Sequence, residues 1–209
     1  MFALVESGSV TKFFKGNKGV AINDIQYPKQ IFQSWSNSEL QAIGIYPVRI
    51  DTTNKKDEAW YINTNITYAV DGDEVVGSYG TATAKNINDT LWTQEDADEG
   101  LIREGDSVGD VATRGLKYLK KEMINNQCAG ILAPSDWMVV KATETGGTMD
   151  SGWKTWRASV RTKCNSMQTQ ITNAANVDAL AALFAYVNTA DEGDPIVLER
   201  PLGEWPVKS

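Results

Sequence analysis

Six apolar residues, Trp153, Trp156, Val160, Cys164, Met167 and Ile171, recur at steps of three, four, four, three and four. An α-helix turns once every 3.6 residues, so this spacing lines all six along one face and predicts an amphipathic helix of about five turns. A stripe of that length has to be covered by other apolar surface. Asp150 or Ser151, just after Gly146-Gly147, supplies the expected N-cap. Arg157, Arg161 and Lys163 fall beside or away from the stripe, where their stems can cover apolar surface and their charges stay in water.

Two further stripes are available to pack against it. Ala112, Leu116, Leu119 and Met123 recur at helical spacing, with Asp110 as the expected cap and the stretch from Cys128 to Gly130 as the expected end. Val177, Leu180, Leu183, Phe184 and Val187 follow a cap at Asn176, with Asp178 in the first turn. Pro134 interrupts the course between the first two helices. Ser135-Asp136 then reads as a turn, and Trp137 to Val140 as an extended apolar stretch. Three stripes predict a small antiparallel helical module over residues 111–188.

Residues 1–90 carry a different pattern. Phe2 to Val5 and Val10 to Phe14 are short β-favouring runs around a Ser-Gly-Ser turn, which predicts an opening hairpin. Ser36 to Glu39 spells a capping box, and the short helix it starts is expected to end near Gly44. Between Ala59 and Lys85 two alternating runs flank Asp71-Gly72, predicting an antiparallel hairpin with Trp60, Ile62, Thr64, Ile66 and Tyr68 on one face. The fold class expected is α+β, an antiparallel β-rich part at 1–90 followed by the helical module.

The net charge of -7 is unevenly placed. Residues 91–110 hold Glu95, Asp96, Asp98, Glu99, Glu104, Asp106 and Asp110 against the single basic Arg103. With its glycines, this segment reads as an acidic connector containing one helical turn capped by Thr93. Gly100 stands where a calcium loop needs an oxygen ligand, so the acids read as a solvated linker. No broad basic surface is present, and nucleic acid is not expected as a partner. Residues 189–209 contain Pro195, Pro201 and Pro206, which exclude a long helix and predict an extended tail. Trp205 in that tail is either folded back onto the helices or held by a partner.

The chemistry of the chain is sparse. It has no His, which removes the commonest general base and zinc ligand, and it lacks phosphate-loop and dinucleotide fingerprints. No enzyme activity and no cofactor are expected. Cys128 and Cys164 are too few and too far apart to read as a disulfide framework. No stretch is apolar enough to span a membrane, and the start MFALVESGSV lacks a basic and apolar leader pattern, so synthesis in a cytoplasm is expected. The seven Trp are the residues best suited to contacts. Trp60 and Trp153 read as core, while Trp137 and Trp156 stand between core and contact roles.

The sequence LAPSDW at 132–137, a loop, and WKTWRASVR at 153–161 resemble the C-terminal region of bacteriophage tail-fibre assembly and tail accessory proteins. That family has a helix leading into a Leu-rich Asp-Trp turn, then a helix with an aromatic-Arg pair and a second Arg four residues on. Here those residues are Trp156, Arg157 and Arg161, with Trp in place of the more usual Tyr. The resemblance covers about residues 109–188. It implies no cofactor and no reaction, with Asp136 forming the turn and Arg157 and Arg161 supporting it or meeting a partner. The additional β-rich front and Pro-containing tail point to a built-in virion component of the tail, baseplate or fibre region. A non-virion assembly chaperone is the alternative, and receptor or carbohydrate binding through Trp a second. The expected partners are other tail or fibre proteins, in a homo-oligomer or symmetric assembly. Asp136, Trp137, Trp153, Trp156, Arg157, Arg161 and Trp205 are the candidate contact residues.

Overall fold

The computed structural model of the chain describes residues 1–208 and divides into two compact units, Met1–Ala84 and a second beginning at Lys85. The class is α+β, with the strands concentrated in the first unit and the long helices in the second.

The first unit opens with the expected hairpin, β1 (Phe2–Glu6) and β2 (Ser9–Phe14). Ser7 and Gly8 both take positive φ, the geometry that lets a two-residue turn follow the strand twist. A small hairpin follows, β3 (Val20–Ile22) and β4 (Ile25–Tyr27), then a helical turn α1 (Ile31–Ser34) and α2 (Asn37–Ala42). Ser36 caps α2 through the reciprocal box with Glu39, as its sequence predicts.

The chain then runs through β5 (Ile45–Asp51), β6 (Tyr61–Ile62), β7 (Thr67–Asp71), β8 (Glu74–Ser78) and β9 (Thr83–Ala84). The main sheet has the order β2-β1-β5-β8-β7, antiparallel except for the parallel β5–β8 pair. The sheet curls enough for Phe13 on one edge strand to stack on Tyr68 of the other, ring centres 4.5 Å apart. Leu4, Phe14, Val20, Ile22, Ile31, Leu40 and Ile45 form its core, with Phe32 and Trp35 packed against them.

The second hairpin is shorter than its alternation predicts. β7 and β8 pair around Gly72, but Tyr61 and Ile62 leave the main sheet and pair with β9. Trp60 is buried while Ile62 is exposed, so the two do not share one buried face. Alternation over a long run does not specify where a strand stops, and here the chain breaks between Ile62 and Thr67. The parallel pairing with β5 was also outside the expected all-antiparallel arrangement.

The second unit begins at Lys85, six residues before the segment read as acidic connector, and takes that whole segment in. β10 (Thr90–Leu91) pairs with β11 (Val111–Thr113), and α3 (Gln94–Asp98) lies between them with Thr93 as its cap. The segment is ordered while its acids stay mostly exposed, and some of them serve as local acceptors. The Trp92 indole donates to Asp106 at 2.9 Å, and the Ser107 amide donates to Asp110 at 2.7 Å. Asp110 therefore closes a turn and is not a helix cap.

Four helices follow where three were expected: α4 (Leu116–Leu132), α5 (Asp136–Glu144), α6 (Ser151–Asn173) and α7 (Val177–Phe184). Asp150 and Asn176 cap α6 and α7. The buried face of α4 is Leu116, Ile124 and Cys128, which shares only Leu116 with the expected stripe, because Ala112 lies in β11 and Leu119 is exposed. The buried face of α6 is Val160, Cys164, Met167 and Ile171, with Arg157 on the same side. After α7, β12 (Val187–Asn188) pairs with β13 (Leu198–Glu199), so Val187 belongs to a strand. The last segment folds back onto the helices: Leu202 is fully buried, and its amide donates to Leu183 at 3.0 Å.

Candidate functional site

The site is built where α4 stops. A helix C-terminus leaves carbonyls without intrahelical donors, and Pro134 in the next turn cannot donate one. A 3-10 turn, Ala133–Ser135, continues directly into α5. The stretch from Trp137 to Val140 is thus helical and not extended. The β-branched Val139 and Val140 disfavour helix only by tenths of a kcal/mol each. The fixed start at Asp136 outweighs that.

Arg157 fixes the start. Its guanidinium is buried and reaches from α6 to three acceptors around the break. Nη1 donates to the Leu132 carbonyl at 2.9 Å and to Ser135 Oγ, and Nη2 donates to Asp136 Oδ1 at 2.6 Å. The Ser135 hydroxyl in turn donates to the Leu132 carbonyl at 2.8 Å. A planar fork can serve several acceptors at once, and a cation at a helix C-terminus also meets the negative end of the helix dipole. Arg157 is therefore a structural clamp and not a water-facing charge. Ser135, nearly fully buried, reads in the sequence only as a turn residue, and its bond to Arg157 depends on the packing of α6.

The clamp holds α5 in place although α5 buries no residue of its own. Trp137, Val139 and Val140 are all exposed. Trp137 and Trp153 line the same open cleft of about 320 Å³, together with Met138, Thr145, Thr148 and Asp150. Lys141 stands 5.9 Å from the Trp137 ring centre and Lys208 stands 5.3 Å from that of Trp153.

The other candidate residues have different surroundings. Trp156 meets Trp153 edge to face at 5.5 Å, and its indole donates to the Pro206 carbonyl at 3.0 Å. Trp205 is folded back, its indole donating to Gln127 Oε1 at 3.2 Å. Both therefore bind the tail to the helices. Arg161, one turn beyond Arg157, is exposed and lines a neighbouring cleft with Val139 and Met149. The structure thus brings together Asp136, Trp137, Trp153 and Arg157, and gives Trp156 and Trp205 to internal contacts.

Among the described residues no group of three or more His, Cys, Asp or Glu side chains is placed to hold a metal ion, and no helix is long and apolar enough to cross a membrane. Comparison with protein-family models, with curated proteins and with solved structures finds no match for the chain. What the site defines is an exposed helix carrying Trp137, Val139 and Val140, its start bonded to a buried cation.

Proposed function

We propose that the chain is a structural protein of a bacteriophage particle, in the tail, baseplate or fibre region, acting through contacts with other tail or fibre proteins. The observation that carries this reading is α5. Trp137 is 56 %, Val139 42 % and Val140 53 % exposed, on a helix whose position is set by the Arg157 clamp. Large apolar side chains left exposed on a helix whose start is bonded in place are what a partner protein can cover. The LAPSDW and WKTWRASVR motifs, similar to those of tail accessory proteins, supply the phage context.

Quantitative mass spectrometry of purified particles tests the proposal. Peptides of this chain at a fixed copy number per particle are the expected result. Abundance in infected lysate with absence from particles would transfer the role to an assembly chaperone.

One observation favours a second reading, glycan binding: Trp137 and Trp153 share a cleft with Thr145, Thr148 and Asp150. Aromatic faces with nearby polar groups suit sugar rings, though Lys141 and Lys208 already occupy ring faces here. Tryptophan fluorescence titrated with a host glycan panel decides it, and a flat response removes this reading.

A further inference from the structure

We infer that Cys128 and Cys164 are a disulfide-forming pair, able to staple α4 to α6 when the protein meets a small peroxide. The two lie on different helices that pack against one another, and both are free and buried. Their neighbours locate them. Asn125 stands one turn before Cys128 on α4, and its Oδ1 lies 3.8 Å from Cys164 Sγ. The same oxygen accepts from Gln168 Nε2 at 2.7 Å, and Gln168 Nε2 is 3.4 Å from Cys164 Sγ. Cys164 therefore sits over the Asn125–Cys128 turn of α4. Burial, and then hydrogen bonding to Cys164, pushes the Cys128 thiol up to about 11, with Arg161 pulling weakly the other way.

Two adjacent thiols invite either a metal or a bond to each other. No third ligand stands near them among the described residues, which leaves the bond. One thiolate attacks the peroxide: an S–O bond forms, the O–O bond breaks, and the leaving oxygen departs as water, giving a sulfenic acid. The second thiol attacks that sulfur, an S–S bond forms and a second water leaves. Two thiols are oxidised by one electron each, the peroxide is reduced by two, and both thiol hydrogens end in water. Because the Cys128 thiol is pushed up and both thiols are buried, the reaction is slow at neutral pH and faster as pH rises. The inference does not depend on which partner the chain meets.

The test uses the full native chain treated with millimolar hydrogen peroxide, followed by intact mass and non-reducing peptide mapping. The expected product is a monomer lighter by two hydrogens, carrying a Cys128–Cys164 linked peptide that dithiothreitol releases. Cys128→Ser and Cys164→Ser, made separately, each lose that product. Unreacted thiols after prolonged exposure, addition of oxygen to the wild-type sulfurs, or links only between chains would each overturn the inference. The wild-type result is decisive even where a serine variant folds poorly.

Discussion

Arg157 and Asp136 face each other across the break between α4 and α5, Nη2 to Oδ1 at 2.6 Å, with the guanidinium side chain 7 % exposed and the carboxylate 60 % exposed. The two partners are not equivalent. Water can replace Arg157 at the carboxylate, whereas nothing replaces the guanidinium at the Leu132 carbonyl and Ser135 hydroxyl without opening the turn.

Arg157→Ala should therefore destabilise the protein by about 2–4 kcal/mol, since it removes the donor shared by the Leu132 carbonyl and the Ser135 hydroxyl and empties the space of a buried side chain. Asp136→Ala should cost about 1 kcal/mol or less, in keeping with an exposed ion-pair partner. Arg157→Lys should fall near the alanine variant, because a single ammonium cannot reach three acceptors in the guanidinium plane. Urea denaturation measures all three. Equal losses for Arg157→Ala and Asp136→Ala would contradict the clamp.

The start of α4 depends on a distant segment. Gly115 has no side chain to cap the helix, so the Leu116 and Lys117 amides donate to the Asn86 and Ile87 carbonyls at 3.0 and 2.9 Å. Its φ is an ordinary -82°, and glycine is needed for space, because a Cβ there would collide with the Asn88 backbone carbonyl. Gly115→Ala should cost about 3 kcal/mol by forcing that strand of chain away. A thermal melt reads the loss, and an unchanged melting temperature would show that the Asn86–Asn88 segment does not sit over the helix.

Acid should loosen the same junction. Asp89 accepts from the Gly115 amide at 2.7 Å and from Arg114 at 2.6 Å, and these two bonds, in that order, hold its carboxyl below the usual range. A carboxyl whose folded value is depressed contributes stability above its unfolded value near 4, and loses it as pH falls through the folded value. Glu39 and Asp96, held low by hydrogen bonds from Ser36 and Thr93, add in the same direction. The urea midpoint should be flat from about pH 7 to pH 5 and fall below about pH 4. Asp89→Asn should lower the midpoint at pH 7 and flatten the acid limb. A wild-type midpoint that rises on acidification would contradict this assignment.

The parts of this fold legible in the sequence are those decided within one turn of chain. Ser36, Thr93, Asp150 and Asn176 cap their helices as read, because a cap is a bond to an amide two or three residues on. Asp110 looked the same and caps nothing, since α4 takes its cap from residues 86 and 87. The α6 stripe was legible from its period, but Arg157 was not legible as a buried residue. Its burial depends on a carbonyl and a hydroxyl more than 20 residues away in sequence. The parallel β5–β8 pairing and the placement of Cys164 over the Asn125 turn of α4 are equally non-local. Trp137 was legible as a contact candidate, but its helix was hidden by two β-branched neighbours.

The core and the contact surface should separate under substitution. Ile124 is fully buried on α4, and Ile124→Ala should cost about 2–5 kcal/mol. Trp137 is mostly exposed, and Trp137→Ala should change stability by less than about 0.5 kcal/mol. Differential scanning calorimetry of the two variants distinguishes them, and a large loss for Trp137→Ala would mean that the ring supports the fold.

Hydroxyl-radical footprinting of Trp137, in the free protein and in purified particles, tests the proposed role most directly. The exposed indole should be readily oxidised in the free chain and protected at least several-fold in the particle, while the buried Ile124 changes little in either. Oxidation of Trp137 at the same rate in both states, or absence of the chain from particles, would contradict a role as a tail component that works through this surface.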